Sequence, residues 1–406
     1  MKTKTILSTA TALGLILAGA ALASDGNTLY LDQDGENNTA LVIQDVPNFT
    51  NEIGGNNIGT DSDPVTQQGD GNEFYYDNGT GVSNGGVGNN DIIKAEQIGN
   101  GNYMRFHDQG GSDTNLSNNI QQIGDDNYAN FSHNSADDSV VDVVLQEGDD
   151  NFLRIQQEAG TGNKVLSATQ IGSRNGASAV TTASMGTYIY QRGSGNLVTE
   201  ASITGSDNGG INNRALYILQ RGNNNGQGLS VASMLGSNGN NISVEQVGDG
   251  NDFGIWQGTS TASTGNDAKV TQDGNFNYAK VTQFGNGNEI FVDQDGNSNI
   301  TTANFTGNGN GVDPLSGDAG DLAAAHTELT QGTIFQDAGT TIGGNQVNYD
   351  VTGDDNLFAF AQIGGSNVID GTVIGNGNQV AVLQYGSGNN TTFTQIGNFN
   401  NLGVSQ

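Results

Sequence analysis

The stretch Gln272-Asp-Gly-Asn-Phe-Asn277-Tyr-Ala-Lys-Val-Thr-Gln283 contains the pattern that decides the fold of this chain. It opens with the phrase Gln-x-Gly-x-x-Asn, and the same phrase starts again 11 residues later at Gln283. Fifteen full copies occur along the sequence, and five more lack the glutamine and start at Glu158, Ile203, Phe305, Val351 and Val373. A chain built from one repeated unit indicates a solenoid, in which neighbouring units stack on a continuous core.

Side chains between the turns alternate with a period of two. Asn277, Ala279, Val281 and Gln283 alternate with larger or charged residues, which predicts a strand with this set on its inner face. The intervening four residues, such as Phe284-Gly-Asn-Gly287, predict a tight turn, because Gly and Asn adopt positive φ most easily. The predicted fold class is therefore all-β: a β-solenoid of stacked strand-turn-strand coils, with two strands in roughly 22–25 residues and amyloid-like cross-β pairing.

The inward Gln and Asn residues predict a structural ladder. An unpaired buried amide costs about 1–3 kcal/mol, whereas stacked identical amides can bond to the coils above and below. A role in turns alone would explain the Asn residues but not the equally regular Gln residues. The predicted ladder and turn positions are Gln97, Gly99, Asn102, Gln122, Gly124, Asn127, Gln146, Gly148, Asn151, Gln170, Gly172, Asn175, Gln246, Gly248, Asn251, Gln272, Gly274, Asn277, Gln283, Gly285, Asn288, Gln294, Gly296, Asn299, Gln362, Gly364, Asn367, Gln384, Gly386, Asn389, Gln395, Gly397 and Asn400.

The composition narrows the possible functions. Only 33% of the 406 residues are hydrophobic, which is typical of disorder, but the strict alternation predicts a folded stack with a thin core. There is no cysteine, so disulfides and thiolate chemistry are excluded. The net charge of −31 argues against nucleic acid as a partner.

The N-terminus has the features of a signal peptide. Lys2 and Lys4 precede an apolar run that ends in Ala21-Leu-Ala23, an A-x-A cleavage pattern. We expect residues 1–23 to be removed by cleavage between Ala23 and Ser24, and the mature chain to be exported. Cleavage there would take the net charge from −31 to −33, because two lysines and no acid are lost.

The repeat divides the remaining chain into four segments. Residues 24–91 are predicted to be an N-terminal segment of degenerate repeats and loops, and residues 92–310 the main repeat block. Residues 311–345 break the period and are predicted to be an irregular insertion, with a short helix or a disordered bulge at Asp321–Leu329 and Asp321 at the N-cap. Residues 346–406 return to strict 11-residue units as a C-terminal repeat block, and the sequence ends at Gln406 within a strand pattern, which predicts an uncapped coil.

The repeat resembles that of curlins, the subunits of curli, which are extracellular functional amyloid fibres of bacteria. The unit Gln272-x-Gly-x-x-Asn277-x-Ala-x-x-x-Gln283 carries the resemblance, which extends over most of residues 27–46 and 92–406. It implies export by the Sec route through the periplasm, self-assembly into a cell-surface homopolymer, and roles in adhesion and biofilm matrix. It also implies a nucleator subunit and an outer-membrane secretion channel with chaperones as partners. A main fibre subunit, a nucleator and a curlin-like relative all fit this resemblance.

The alternative interpretation is a monomeric secreted β-solenoid adhesin stabilised by calcium. The acidic turns Asp32-Gln-Asp34 and Asp293-Gln-Asp295 resemble Ca²⁺ loops, which need several oxygen ligands around a tight glycine turn. A calcium β-roll, however, has a nine-residue period with an aspartate in nearly every turn, and this chain has neither. No catalytic, cofactor-binding or metal-ligating residue is predicted, so the chain is not expected to be an enzyme.

Overall fold

The computed structural model describes residues 28–29, 31–35, 37–43, 57–58, 65–77, 91–107, 116–132, 136–137, 139–158, 160–173, 185–205, 214–258, 263–337 and 344–406. The chain divides into two compact units, Met1–Arg214 and Ala215–Gln406, so the boundary between them falls inside the predicted block 92–310. Each unit contains two parallel sheets, called A and B, and the chain passes from one sheet to the other through tight turns. The predicted all-β solenoid is confirmed.

In the first unit, sheet A contains β1 (Thr28–Leu29), β2 (Leu31–Asp34), β4 (Asn57–Ile58), β5 (Val65–Gln68), β7 (Asp91–Ile98), β9 (Leu116–Ile123), β12 (Val140–Glu147), β15 (Lys164–Ile171), β17 (Leu197–Val198) and β18 (Glu200–Gly205). Sheet B contains β3 (Thr39–Ile43), β6 (Glu73–Asp77), β8 (Tyr103–His107), β10 (Tyr128–Ser132), β13 (Phe152–Glu158) and β16 (Met185–Arg192). A separate short pair joins β11 (Ala136–Asp137) and β14 (Gly160–Thr161).

In the second unit, sheet A contains β20 (Ser230–Asn238), β22 (Asp252–Gln257), β23 (Ser263–Thr264), β25 (Tyr278–Phe284), β27 (Ile300–Thr306), β29 (Gln346–Thr352), β31 (Val368–Ile374) and β33 (Asn390–Ile396). Sheet B contains β19 (Arg214–Arg221), β21 (Asn241–Val247), β24 (Asp267–Asp273), β26 (Glu289–Asp295), β28 (Thr333–Asp337), β30 (Leu357–Ile363), β32 (Gln379–Tyr385) and β34 (Asn401–Ser405). One helix, α1 (Gly317–Ala325), lies between β27 and β28.

Successive strands of a sheet pair in register, so equivalent residues of successive coils lie side by side. Gln272 pairs with Gln294 and Val270 pairs with Val292 across β24 and β26. The alternation read from the sequence places side chains as expected in β25, where Ala279, Val281 and Gln283 are fully buried. The core of a coil is thus one thin layer of side chains between the two sheets, and it is covered only by the coils before and after it.

Aromatic side chains thicken the core of the second unit near its last coils. Tyr349 packs edge-on against Phe360 with ring centroids 4.8 Å apart, and Phe305 lies 5.4 Å from Phe358. Gly371 lies in register between Tyr349 and Phe393, and a Cβ there would lie 2.3 Å from the Phe393 ring. Large and small residues therefore alternate along this column, because two adjacent rings need the space that a glycine leaves.

The interval predicted as an irregular insertion, 311–345, is more regular than expected. It contains β28, which pairs in register with β26 and β30 and so belongs to a complete coil. The helix starts at Gly317 rather than at Asp321, and the residue at its N-cap is Ser316, whose side chain makes no capping hydrogen bond. The predicted cap at Asp321 is therefore wrong, because this residue lies inside the helix.

Helix α1 packs on the outer face of sheet B of the second unit. Ala319 and Leu329 contact a patch of small and apolar residues formed by Ala359, Ala361, Ala381 and Leu383. The helix also binds the last coil, since the Ala319 N–H donates to Asn401 Oδ1 at 2.7 Å and Asn401 Nδ2 donates to the Ser316 carbonyl at 2.6 Å. This contact explains why β30 is apolar at nearly every position instead of alternating: both of its faces are covered.

Candidate functional site: the amide ladders

Buried glutamines form hydrogen-bonded columns along each unit. Gln272 Nε2 donates to Gln294 Oε1 at 2.8 Å and to the backbone carbonyl of Asp252 at 3.0 Å, while Gln272 Oε1 accepts from Gln246 at 2.7 Å. The Gln272 side chain is 0% exposed, so these bonds replace the water that its amide loses. Each glutamine thus joins its own coil to both neighbours and also fixes the strand of the opposite sheet.

The predicted glutamines fall into three columns. Sheet A of the first unit stacks Gln97, Gln122, Gln146 and Gln170 in register. Sheet B of the second unit stacks Gln246, Gln272, Gln294, Gln362 and Gln384, and the same column also includes Gln220, Gln336 and Gln406. In sheet A of the second unit, Gln283 and Gln395 are separated by the apolar residues Phe305, Val351 and Val373.

All the glutamine bonds run in one direction. The Nε2 of the earlier coil donates to the Oε1 of the later coil, as from Gln97 to Gln122 and from Gln362 to Gln384, both at 2.9 Å. No described pair of stacked glutamines runs the other way. The columns therefore have a donor side and an acceptor side.

The asparagines form a second column beside each turn. Asn277 accepts at Oδ1 from the backbone N–H of Asn299 at 2.9 Å, and its Nδ2 donates to the Gly296 carbonyl at 2.9 Å. Asn389 and Asn400 are half-buried. The other predicted asparagines of the described residues are buried as well: Asn102, Asn127, Asn151, Asn251, Asn288, Asn299 and Asn367. Each asparagine thus links the turns of successive coils.

The regular recurrence of glycine in the turns has a steric cause in the stack. Gly274 has φ +119, and a Cβ added to it would lie 1.9 Å from the Gly296 carbonyl oxygen. The backbone of one turn therefore lies directly against the backbone of the next. Positive φ is shared by the predicted turn glycines Gly99, Gly124, Gly148, Gly172, Gly248, Gly285, Gly296, Gly364, Gly386 and Gly397.

Three predicted positions, Ala23, Ser24 and Asn175, lie outside the described residues.

Three ladder glutamines are missing from the sequence-based set. Gln157 donates to Gln191 at 3.0 Å, Gln257 donates to Gln283 at 2.8 Å, and Gln336 donates to Gln362 at 2.9 Å. None of them begins a full Gln-x-Gly-x-x-Asn phrase, because extra residues separate each one in the sequence from the next ladder asparagine. The alternating strand before each glutamine was the signal that could have found them.

The unit predicted to start at Glu158 was placed one residue too late. Gln157 pairs with Gln191 and is 0% exposed, so it holds the inner position. Glu158 points outward and accepts a hydrogen bond of 2.6 Å from the Tyr190 hydroxyl. One extra residue separates Gln157 from Gly160 in the sequence, so the pattern alone pointed to the wrong residue.

Carboxylates stack on the outer face of sheet B in the second unit. Asp273, Asp295 and Asp337 lie in register on adjacent strands. Burial raises the pKa of the Asp295 carboxyl, and the neighbouring Asp337 and Asp273 raise it further. Burial likewise raises the pKa values of Asp267 and Glu289. Parallel in-register stacking therefore brings like charges together where successive units carry an acid at the same position.

The described part of the chain contains no group of three or more His, Asp or Glu residues arranged to hold a metal ion. None of the helices described in the structure is long and apolar enough to cross a membrane.

The coil formed by β33 and β34 is covered on one side only among the described residues. Leu402 and Val404 are half-buried, whereas Val380 and Val382, which lie in register with them one coil earlier, are 0% exposed. Gln406 accepts from Gln384 at 3.1 Å, and its Nε2 reaches only the Asn390 carbonyl, at 3.3 Å. The inner face of this coil therefore presents apolar side chains and a glutamine amide that another coil could cover.

Comparison with known protein families identifies the repeat. Residues 264–296, which contain β24, β25 and β26 with their ladder residues, match the curlin associated repeat. The chain is a curlin-repeat protein. No curated protein matches the chain. In this curlin-repeat protein, the matched residues Gln272 and Gln294 stack 22 residues apart, and the same spacing separates Gln362 from Gln384 outside the matched segment.

Proposed function

We propose that this curlin-repeat protein is a secreted structural subunit that polymerises into extracellular curli-like amyloid fibres, which serve adhesion and the biofilm matrix. The observation that carries the proposal is the half-covered coil β33–β34, with Leu402 and Val404 only half-buried where the equivalent residues Val380 and Val382 are fully buried. A coil of a second copy has the same width, strand direction and amide positions as the coil it would cover. Self-stacking therefore continues an arrangement that each unit already repeats internally.

Physical chemistry favours a second copy over an unrelated partner at such a coil. The strand edges of a parallel sheet offer unpaired N–H and C=O groups, which template another strand. The buried amide column adds selectivity, because a stacking coil without Gln at the ladder position leaves an amide N–H of Gln406 unpaired at a cost of about 1–3 kcal/mol. An in-register copy satisfies both requirements.

Export and charge fit this proposal. The Lys2 and Lys4 segment followed by an apolar run and Ala21-Leu-Ala23 supports processing and secretion. A net charge near −33 after cleavage keeps copies apart at low salt, because like-charged chains repel. A secretion channel with chaperones and a nucleator subunit are the partners that such a fibre system requires, and they form part of the proposal.

The test is direct incubation of the purified mature chain. We expect fibres with a meridional reflection at about 4.7–4.8 Å and sigmoidal thioflavin kinetics, accelerated by moderate NaCl. The variant Val404→Lys places a charge on the uncovered inner face, and Ser405→Lys places the same charge on the outer face of the same strand. We expect the first variant to block elongation and the second to have little effect.

A chain that stays monomeric for days at high concentration while giving a β-rich spectrum would refute the polymer proposal. Ordering of that monomer by sub-millimolar Ca²⁺ but not by Mg²⁺ would then favour the calcium-stabilised adhesin.

A further inference from the structure

The outer face of sheet A in the second unit carries a groove that the stacking of coils does not require. It has a volume of about 510 Å³ and is lined by Ser233, Leu235, Trp256, Gln257, Gly258, Lys280, Thr282 and Phe284. These residues belong to β20, β22 and β25 and to the residue that follows β22, and are called the Trp256 groove here. Trp256 is the single tryptophan of the chain.

Two glycines shape this groove. Gly254 on β22 and Gly258, the residue that follows β22, lie on either side of Trp256 in the sequence. A Cβ on Gly254 would lie 2.6 Å from the far edge of the indole ring, so the ring leans over this glycine and lies along the sheet. Gly258 carries no side chain either, and its N–H is bonded to the Gln283 carbonyl at 2.9 Å. The floor of the groove beyond the indole is therefore bare backbone.

Apolar side chains form the walls on both sides of that floor. Leu235 is 44% exposed and Phe284 is 37% exposed, and both point outward from sheet A. Together with the indole beside them, they make an apolar surface on a strongly acidic chain.

Polar groups surround the apolar surface and are available to a ligand. Ser233 and Thr282 lie in register on either side of Trp256, so a hydroxyl group stands on each side of the ring. Lys280 Nζ lies 5.7 Å from the centre of the indole ring. Among the described residues, the one ion pair joins Lys94 and Glu96. The Lys280 ammonium therefore has no carboxylate partner among the described residues.

We propose that the Trp256 groove binds a carboxylated glycan chain. The faces of sugar rings are rich in C–H groups and suit the indole, Leu235 and Phe284, while their hydroxyls suit Ser233 and Thr282. The carboxylate of a uronic acid suits the unpaired ammonium of Lys280. Binding at this outer face leaves the inner ladders untouched, so the proposal does not depend on polymerisation.

An acidic peptide fits the groove less well. Extended peptides usually bind a sheet by adding a strand to a free edge. Strand β22 is paired with β20 on one side and with β25 on the other, so its backbone offers no such edge. A peptide would have only side-chain contacts, whereas a glycan needs no backbone pairing.

The test uses the emission of Trp256 in the freshly purified full chain. A galacturonic acid tetramer is the probe, and its carboxyl-reduced neutral counterpart and pentaglutamate are the comparison ligands. We expect saturable binding of the uronate tetramer that is at least about tenfold tighter than binding of either comparison ligand. Equal binding of the neutral tetramer, equal binding of pentaglutamate, or no binding at millimolar concentration would overturn the proposal.

Two variants and one control locate the site. Trp256→Thr copies the residue that the next coil has at this position, and Lys280→Thr copies Thr302; both should reduce uronate binding at least about tenfold by calorimetry. Lys269→Thr is the matched control, because Lys269 lies 4.3 Å over the Phe291 ring on sheet B, away from the groove. Binding that survives Trp256→Thr, or that falls equally in the control, would also overturn the proposal.

Discussion

Met234 lies in register with Gln257 and leaves the Oε1 of this glutamine without a hydrogen-bond donor among the described residues. In the continuous column of sheet B the preceding glutamine fills that role, as Gln246 does for Gln272 at 2.7 Å. Gln257 still donates onward to Gln283 at 2.8 Å. Gln395 has the same orphaned Oε1, because Val373 precedes it in the column. Both glutamines that follow an apolar residue in sheet A of the second unit thus carry an unpaired acceptor.

Met234→Gln should change the stability of the second unit by less than about 1 kcal/mol, because the new amide donates to the buried Oε1 of Gln257 while its own buried Oε1 takes over the first position of the column. The measurement is the free energy of unfolding from denaturant titration of the freshly purified chain. Met234→Leu is the control of similar volume and should change stability by less than about 1.5 kcal/mol in the unfavourable direction. A glutamine variant less stable than the leucine variant would show that the new amide does not pair with the orphaned acceptor.

Val281→Lys should destabilise the chain by several kcal/mol and block fibre growth, because Val281 is 0% exposed and its surroundings provide no partner for a charge. Lys280→Val, on the adjacent outward position, should change the free energy of unfolding by only about 0.5 kcal/mol and leave assembly intact. Denaturant titration and thioflavin kinetics of both variants measure the difference. Similar effects at the two positions would mean that the strand faces are reversed.

Tyr349→Phe should raise stability by about 1 kcal/mol. The Tyr349 side chain is 0% exposed and its hydroxyl has no hydrogen-bond partner among the described residues, so the hydroxyl loses water without compensation. Burial also raises the pKa of this hydroxyl. Tyr278→Phe is the control at an outward position and should be close to neutral. A loss of stability in Tyr349→Phe would indicate a bound water or another donor in this part of the core.

Gly285→Ala should destabilise the second unit by about 3 kcal/mol or more, since Gly285 has φ +121 and a Cβ would lie 2.0 Å from the Gly307 carbonyl oxygen. Gly287→Asn is the matched change two residues later in the same turn. Gly287 also has positive φ, but its Cβ would meet no atom within 4 Å, and asparagine tolerates this conformation. Thermal melting by circular dichroism should therefore separate the two variants clearly. Equal losses would mean that conformation rather than backbone contact limits the turn.

Lowering the pH from neutral should stabilise the second unit. Because the pKa of Asp295 is raised above its ordinary value of 3.8, the folded chain binds more protons than the unfolded chain just above that pH. The free energy of unfolding therefore rises as the pH falls through the folded pKa and levels off below 3.8. Asp295→Asn should flatten this rise, and Asp313→Asn, at an exposed position in the segment before α1, should not. An unchanged pH profile in Asp295→Asn would place the effect at other carboxyls.

The repeat predicted the coil because two independent periods coincide in it. The 11-residue recurrence placed Gln272, Gln283 and Gln294 on successive strands, and the alternation within each strand placed Val281 inside. Both signals depend on local geometry, which is set by the period-two strand and the glycine turn. Residues that share the same local geometry were therefore placed well from the sequence.

The insertion could not be placed in the same way, because its contacts are not local. Helix α1 follows β27 but hydrogen-bonds to Asn401, which is 82 residues from Ala319. The apolar run of β30 was a usable sign that a second layer covers this sheet, but it did not identify the segment that covers it. The Trp256 groove could not be predicted from local geometry either, because it forms where Gly254 and Gly258 contact residues of two other strands.

The one-way donation along the glutamine columns has a consequence for any filament built from such stacks. One end face offers amide N–H groups and the other offers amide oxygens, so the two faces are complementary to each other and not to themselves. Two copies that met by like faces would set donor against donor in the middle of a dry core. Such a filament is structurally polar, because every subunit must have the same orientation. Its two ends differ in chemistry and should therefore grow at different rates.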